Sequence, residues 1–209
     1  MSAKREAAGG TGEAPAKQGR EIVLVRHTET EWSAEGRHTG RTDLPLTANG
    51  REAAMQLKPR LEGHRFCAVL VSPLRRARET CALCGFEEVA ETRDALAEWD
   101  YGEYEGLTTA QIERRVAGWL LWRDGCPSGE DASQVGRRAD GVIGELLRLR
   151  GDVLVFSHAH LLRVLGARWM ELPPDAGGRL MLSTGSISVL GFEHGLRGLR
   201  SWNEAHSGE

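Results

Sequence analysis

Two histidines and several arginines stand out because each follows directly on an apolar run. Ile22-Val23-Leu24-Val25 ends on Arg26-His27, and Val153-Leu154-Val155-Phe156 ends on Ser157-His158. A third run, Ala68-Val69-Leu70-Val71, ends on Ser72-Pro73 and leads into Leu74-Arg75-Arg76-Ala77-Arg78. Imidazole exchanges protons near neutral pH, and guanidinium is a fixed positive fork that matches phosphate oxygens. Two imidazoles, two or more guanidiniums and a helix N-terminus in one cleft would form a receptor for a dianionic phosphate. The histidines could instead ligate a metal, but the neighbouring arginines would repel a divalent cation. No Walker-type glycine-rich loop is present, so a nucleotide cradle has no support.

The elements that must deliver these groups follow from the patterning. The three apolar runs read as strands buried on both faces. Helices are expected from near Thr47, from Ser72 as N-cap with Pro73 at the first helical position, over 109–122 and 131–149, and from His160 to Met170. Ala53, Ala54, Leu57 and Leu61 mark the core face of the first. A short strand is expected near 87–90, and two closing strands near 186–192 and 196–202 turn at His194-Gly195. Strands alternating with helices imply right-handed crossovers and a largely parallel sheet. The expected fold is α/β, a three-layer α/β/α sandwich with a mostly parallel central sheet and an antiparallel edge. In a parallel sheet the strand ends share one side, so three separate segments bring their histidines and arginines to one crevice. The long polar loop from Thr28 to Leu46 points to function.

The 209 residues fit one domain over 20–209 behind a disordered tail over 1–19, whose Ala, Gly, Lys and Glu show no periodicity. A net charge of −3 gives no whole-protein case for nucleic acid or membrane binding. No apolar run reaches the ~20 residues needed to span a bilayer, and no apolar leader precedes the first strand, so a cytoplasmic location is expected. Cys81-x-x-Cys84 is the only short cysteine spacing, and without a second close pair these thiols read as buried or incidental.

Arg26-His27-Thr28-Glu29-Thr30 resembles the Arg-His-Gly signature of the histidine phosphatase (phosphoglycerate-mutase-like) superfamily. Ser72-Pro73-Leu74-Arg75-Arg76-Ala77-Arg78-Glu79-Thr80 resembles its second motif, Leu96-x-Glu98 through Gly102-x-x-Glu105-Gly106 its third, and Val155-Phe156-Ser157-His158 its fourth. The resemblance implies that His27 is the nucleophile of a covalent phosphohistidine, that Arg26 and Arg76 clamp the phosphoryl oxygens, and that His158 is the second histidine of the pocket. Glu98 would protonate the leaving oxygen and then take a proton from the attacking water. Only Arg76 matches the motif position, so Arg75 and Arg78 are expected at the surface. Glu103 and Glu105 are expected to be solvated or structural. No metal and no cofactor are implied.

Two positions depart from the pattern. Thr28 stands where the family usually has glycine; a β-branched residue at φ > 0 would cost about 1–2 kcal/mol, so a negative φ is expected. Ser33 stands where many members carry a phosphate-contacting asparagine, and its hydroxyl is expected to take over that contact. The finer resemblance is to sedoheptulose-bisphosphatase-like enzymes and bacterial broad-specificity acid phosphatases. It places Thr39, Gly40 and Tyr101 on the substrate side and allows Arg123 or Arg41 to hold a second phosphate or a sugar hydroxyl. The basic insertion of the cofactor-dependent mutases is absent from Leu107-Thr108-Thr109-Ala110-Gln111-Ile112-Glu113. The expected activity is therefore metal-independent hydrolysis of a small phosphorylated metabolite, a sugar phosphate above others. A phosphoglycerate mutase and a catalytically impaired phosphate-binding or interaction module are the alternatives. A homodimer through the C-terminal edge strand and Trp169, Trp202 or Leu199 is left open.

Overall fold

In the computed structural model, which describes residues 19–205, strands β1 (Ile22–Arg26), β2 (Phe66–Val71), β3 (Ala90–Thr92), β4 (Asp152–Ser157), β5 (Ile187–Glu193) and β6 (Leu196–Glu204) form one sheet. Their order is β3-β2-β4-β1-β5-β6. The β3-β2, β2-β4 and β4-β1 pairs are parallel, and β5 and β6 add the antiparallel edge. Among the described residues seven α-helices accompany them: α1 (Glu31–Ala34), α2 (Ala48–Leu61), α3 (Arg75–Leu83), α4 (Thr109–Glu113), α5 (Leu121–Asp124), α6 (Ala132–Arg148) and α7 (Ala159–Trp169). Apart from Gly19, the tail expected over 1–19 lies outside the described residues.

Successive strand side chains point to opposite faces, and each face has its own helix pair. Ile22, Leu24, Val153 and Val155 pack with Val135, Ala139, Val142 and Ile143 of α6 and Leu161, Leu162 and Leu165 of α7. Val23, Val25, Leu154 and Phe156 pack with Leu57 and Leu61 of α2 and Ala77, Cys81 and Cys84 of α3. That is the expected three-layer sandwich, and it explains why β1 over 22–25 and β4 over 153–156 run apolar without alternating. Among the described residues no helix is long and apolar enough to cross a membrane.

Some expected boundaries move. Thr47 caps α2 as its sequence suggests, its side chain accepting from the Gly50 amide. Ser72 is not the cap of α3, which begins three residues later behind Leu74. The helix expected over 109–122 is two short ones, broken by Gly118 at φ 72°. The region 87–90 is mainly a 3-10 turn (Glu87–Val89), with β3 following it. His194 and Gly195 both take positive φ in the β5–β6 turn, as a tight hairpin requires. Trp169 is core rather than a dimer contact: it is fully buried and its indole N–H reaches the carbonyls of Gly191 and Gly198.

Candidate active site

The register of the sheet sets up the centre of the site. Arg26 of β1 pairs with Ser157 of β4, so the next residues, His27 and His158, leave the sheet side by side with ring centroids 5.1 Å apart. Both are almost completely buried. His27 Nδ1 lies 2.7 Å from the Thr28 carbonyl, which can only accept, so the ring proton sits on Nδ1. Nε2 keeps its lone pair and makes no hydrogen bond among the described residues. His158 is held in the opposite tautomer: Arg76 Nε donates to Nδ1 at 3.1 Å, so the proton is on Nε2, which donates to Ser72 Oγ at 2.6 Å. Burial, then Arg76 and Arg26, hold the His27 pKa well below its ordinary value; burial, Arg76 and His27 do the same for His158. Both rings are therefore neutral.

The two arginines are buried differently. Arg26 donates from Nη1 to the Leu182 carbonyl at 2.5 Å, and its Nε is the one buried side-chain polar atom among the described residues with no partner. Burial lowers its pKa to about 10. A buried donor left unpaired costs about 1–3 kcal/mol, which a bound oxyanion would relieve. Arg76 is 0% exposed. Besides His158 it donates to the carbonyls of Thr42, Thr39 and Gly40 at 2.9–3.0 Å, leaving one Nη1 proton unassigned.

Those carbonyls belong to a loop gripped from two sides. The Glu105 carboxylate accepts the amides of Gly40 and Thr42 at 2.9–3.0 Å, so Arg76 takes the carbonyls and Glu105 the amides of the same few residues. Glu105 is thus structural. Gly40 is required for the fit, since a Cβ there would lie 2.6 Å from the Trp99 carbonyl oxygen. Thr28 is not among the residues with positive φ. Its amide donates to Thr80 Oγ1 at 3.2 Å, so threonine occupies the glycine position without backbone strain.

Glu98 lies on the loop after β3. Its Oε1 accepts the amides of Trp99 and Leu161 at 2.9 Å, and Oε2 accepts that of His160 at 3.1 Å. His160 and Leu161 are in the first turn of α7, whose N-cap His158 makes no side-chain cap bond. Glu98 therefore caps a helix in another segment. Its own loop is held by Arg138 of α6, which donates to the carbonyls of Ala95, Ala97 and Glu98, and by Ser157 Oγ, which donates to that of Leu96.

The structure redistributes the substrate-side residues. Tyr101 is 2% exposed, and its hydroxyl is 2.6 Å from His160 Nδ1. Thr39 and Gly40 present their carbonyls to Arg76. Ser33 does not reach for phosphate: its hydroxyl donates to the Thr30 carbonyl and accepts the Thr30 amide in the capping box of α1, leaving it no proton to offer. Arg123 is not brought to the site either; its side chain is 65% exposed and binds Asp124 and the Gly118 carbonyl. Arg41 likewise pairs with Asp100 and is exposed.

The fold also assembles His38, His160, Trp122 and Arg163 here. His160 lies among Tyr101, Trp99, Trp122 and His38, with ring centroids 5.3–6.3 Å apart. The Arg163 guanidinium lies 4.5 Å over Trp122 and donates to the carbonyls of Gly177 and Gly178. His160 and Arg163 lie two and five residues after His158, in the first and second turns of α7, and share a face with each other. That i, i+2, i+5 spacing after a motif histidine is the signal that was available. His38 offered none, because only the loop closure brings it in.

Two neutral imidazoles of opposite tautomer beside buried guanidiniums, with a carboxylate whose charge acts on both guanidiniums, form a site suited to phosphoryl transfer. The chain belongs to the histidine phosphatase superfamily (branch 1), whose model matches residues 22–205. An acid phosphatase of Mycobacterium tuberculosis is 46% identical over 183 residues, 85% of this chain and 89% of that one. A sedoheptulose 1,7-bisphosphatase of Saccharomyces cerevisiae is 36% identical over 182 residues, 72% of this chain and 67% of that one. A solved Mycobacterium tuberculosis structure superposes with TM-score 0.83 at 44% identity, covering 90% of this chain and 99% of that one. The chain is a phosphatase acting on small phosphorylated metabolites.

Proposed function

We propose that hydrolysis proceeds through a covalent phosphohistidine on His27 and that the physiological substrate is a sugar phosphate. The observation that carries the first part is the His27 tautomer: Thr28 holds the Nδ1 proton, leaving the Nε2 lone pair beside two buried guanidiniums. In the first step the P–Nε2 bond forms and the bond from phosphorus to the leaving oxygen breaks, while Glu98 gives that oxygen a proton. In the second, Glu98 takes a proton from water, the water oxygen bonds to phosphorus and the P–Nε2 bond breaks, releasing inorganic phosphate. The unpaired Arg26 Nε and the remaining Arg76 proton supply donors for the phosphoryl oxygens, and His158 Nε2–H is a third donor once Ser72 yields it.

The leaving-group side supports a polyol. Trp122 offers a flat face, His38 and His160 are neutral imidazoles, and Arg163 adds a fixed charge. Relatives named for acid phosphatase and sedoheptulose 1,7-bisphosphatase activity accord with that chemistry. The test is turnover of an aryl phosphate from pH 4 to 8 with EDTA present, acid-quench trapping of labelled phosphoenzyme, and a panel of sugar phosphates. Wild type should turn over and trap label, and His27→Ala should do neither. Activity persisting in His27→Ala would overturn the nucleophile. A preference for non-sugar phosphates across the panel would overturn the substrate class.

A further inference from the structure

Glu98 and the first turn of α7 are joined at a second place besides the amide contacts. Tyr101 Oη lies 2.6 Å from His160 Nδ1, and its direction as a hydrogen bond is fixed by the surroundings. Burial and the nearby Glu98 push the Tyr101 pKa well above its ordinary value, and burial, Arg163 and His38 push that of His160 well below. Nδ1 is the only hydrogen-bond partner of the buried phenol among the described residues, so the phenol proton is satisfied only by donating to Nδ1, which leaves the His160 proton on Nε2. The same Nδ1 is only 3.9 Å from Glu98 Oε2. At that distance it makes no hydrogen bond, yet a small ring rotation would give one if Nδ1 carried a proton. The charged and titratable groups around this ring are Glu98 and Tyr101 from the loop, Arg163 on α7, His38 across the cleft and Arg26 at the end of β1.

We propose that Tyr101 is a positioning residue for leaving-group protonation: by occupying His160 Nδ1 it keeps that nitrogen from donating to Glu98 Oε2, and so leaves this oxygen free to carry the transferable proton. The proposal rests on Glu98 being the acid. It assigns Tyr101 a role other than lining the substrate. The phenol stabilises no transition-state charge itself; it decides which tautomer sits beside the acid. Without the hydroxyl, Nδ1 can take the ring proton and donate to Oε2, and a carboxyl group bonded in that way holds its own proton less firmly.

Leaving groups separate this role from a general structural one. A nitrophenolate departs without a proton, whereas an alkoxide needs one as the P–O bond breaks. Tyr101→Phe, which keeps the buried ring, should therefore leave kcat/KM for p-nitrophenyl phosphate within about twofold. It should lower that for alkyl phosphates such as glycerol phosphate by on the order of tenfold or more. The expected signature is a steeper dependence of log kcat/KM on leaving-group pKa. Adding His160→Phe removes Nδ1 and should return the slope toward that of wild type. Glu98→Gln is the control and should steepen the slope in its own right. If it does not, the assignment of Glu98 fails, and the proposal with it. If Glu98→Gln steepens the slope and Tyr101→Phe leaves it unchanged, the proposal alone is overturned. A steepening that His160→Phe fails to reverse would overturn it too.

Discussion

At the phosphate end of the cleft, His27 and His158 follow directly on residues that pair across parallel strands. At the leaving-group end, Glu98, Tyr101 and His160 come from a loop and the first turn of α7, and meet only through side chains and caps. The first arrangement is set by sheet register, which fixes the two rings as soon as β1 and β4 pair. The second depends on several separate contacts: Arg138 on the loop carbonyls, Ser157 on Leu96, and Glu98 on the α7 amides. The end proposed to form the covalent bond is thus carried by backbone pairing, and the end proposed to fit different leaving groups is carried by replaceable side chains.

The largest test of that contrast is at the phosphate end. His27→Ala should lower kcat/KM on the order of ten-thousandfold or more, with a urea midpoint near that of wild type, because the register does not need the ring. A surviving tenth of the activity would mean that the strand ends do not carry the chemistry.

Next comes a comparison within one helix. Arg76→Ala would orphan three loop carbonyls and His158, and should destabilise by about 3 kcal/mol or more as well as abolish turnover. Arg75→Ala and Arg78→Ala, at exposed positions of the same helix, should each stay within about 0.5 kcal/mol in urea denaturation. Equal effects of the three would remove the distinction between buried and surface arginines.

A third prediction concerns acid. His27, His158, His160 and His38 are all held below their ordinary pKa, His38 at about 4. The unfolded chain therefore binds protons that the folded chain refuses. Stability contributed by these rings is complete above about pH 6.5 and is lost as pH falls, at up to about 1.4 kcal/mol per unit for each ring. For His38 the window runs from about pH 6.5 to 4. His38→Gln should flatten the decline by one proton's worth in denaturation curves at pH 7, 6 and 5. An unchanged slope would show that His38 is not excluded from protonation. The same depression keeps His27, the proposed nucleophile, unprotonated in acid, so the acid limb of kcat/KM should lie well below 6.5.

The smallest effects belong to residues the fold leaves outside the site. Arg123→Ala should change kcat/KM by less than about twofold, and Ser33→Ala should cost about 1 kcal/mol of stability through the lost reciprocal bond to the Thr30 amide, with little loss in kcat/KM. A tenfold loss of activity in either would return that residue to the cleft.

What was legible in the sequence follows the same division. The apolar runs ending on Arg26-His27 and Ser157-His158 announce buried parallel strands, and strand ends locate the cleft without knowledge of any contact. Arg76 and Glu98 were legible from their motif positions. Ser33 and Arg123 were misplaced because a side chain's local alternative is invisible to spacing: Thr30 offers Ser33 a capping box, and Asp124 offers Arg123 an adjacent carboxylate. Ser72 reads as a helix cap, yet its hydroxyl is used by a histidine 86 residues away in sequence. His38 escaped because its place depends on how its loop closes. The break at Gly118 escaped because a helix and two short helices share one periodic pattern.

Residues that perform chemistry are commonly a burden on the fold, and replacing them often raises thermal tolerance at the expense of activity. Glu98 breaks that trade-off, since the carboxylate proposed to move the proton also terminates α7. A variant library screened for heat resistance alone should therefore keep Glu98 without any selection for turnover. Melting behaviour and catalysis would then fail together at this position, and drift toward a stable but inactive descendant would have to begin elsewhere in the chain.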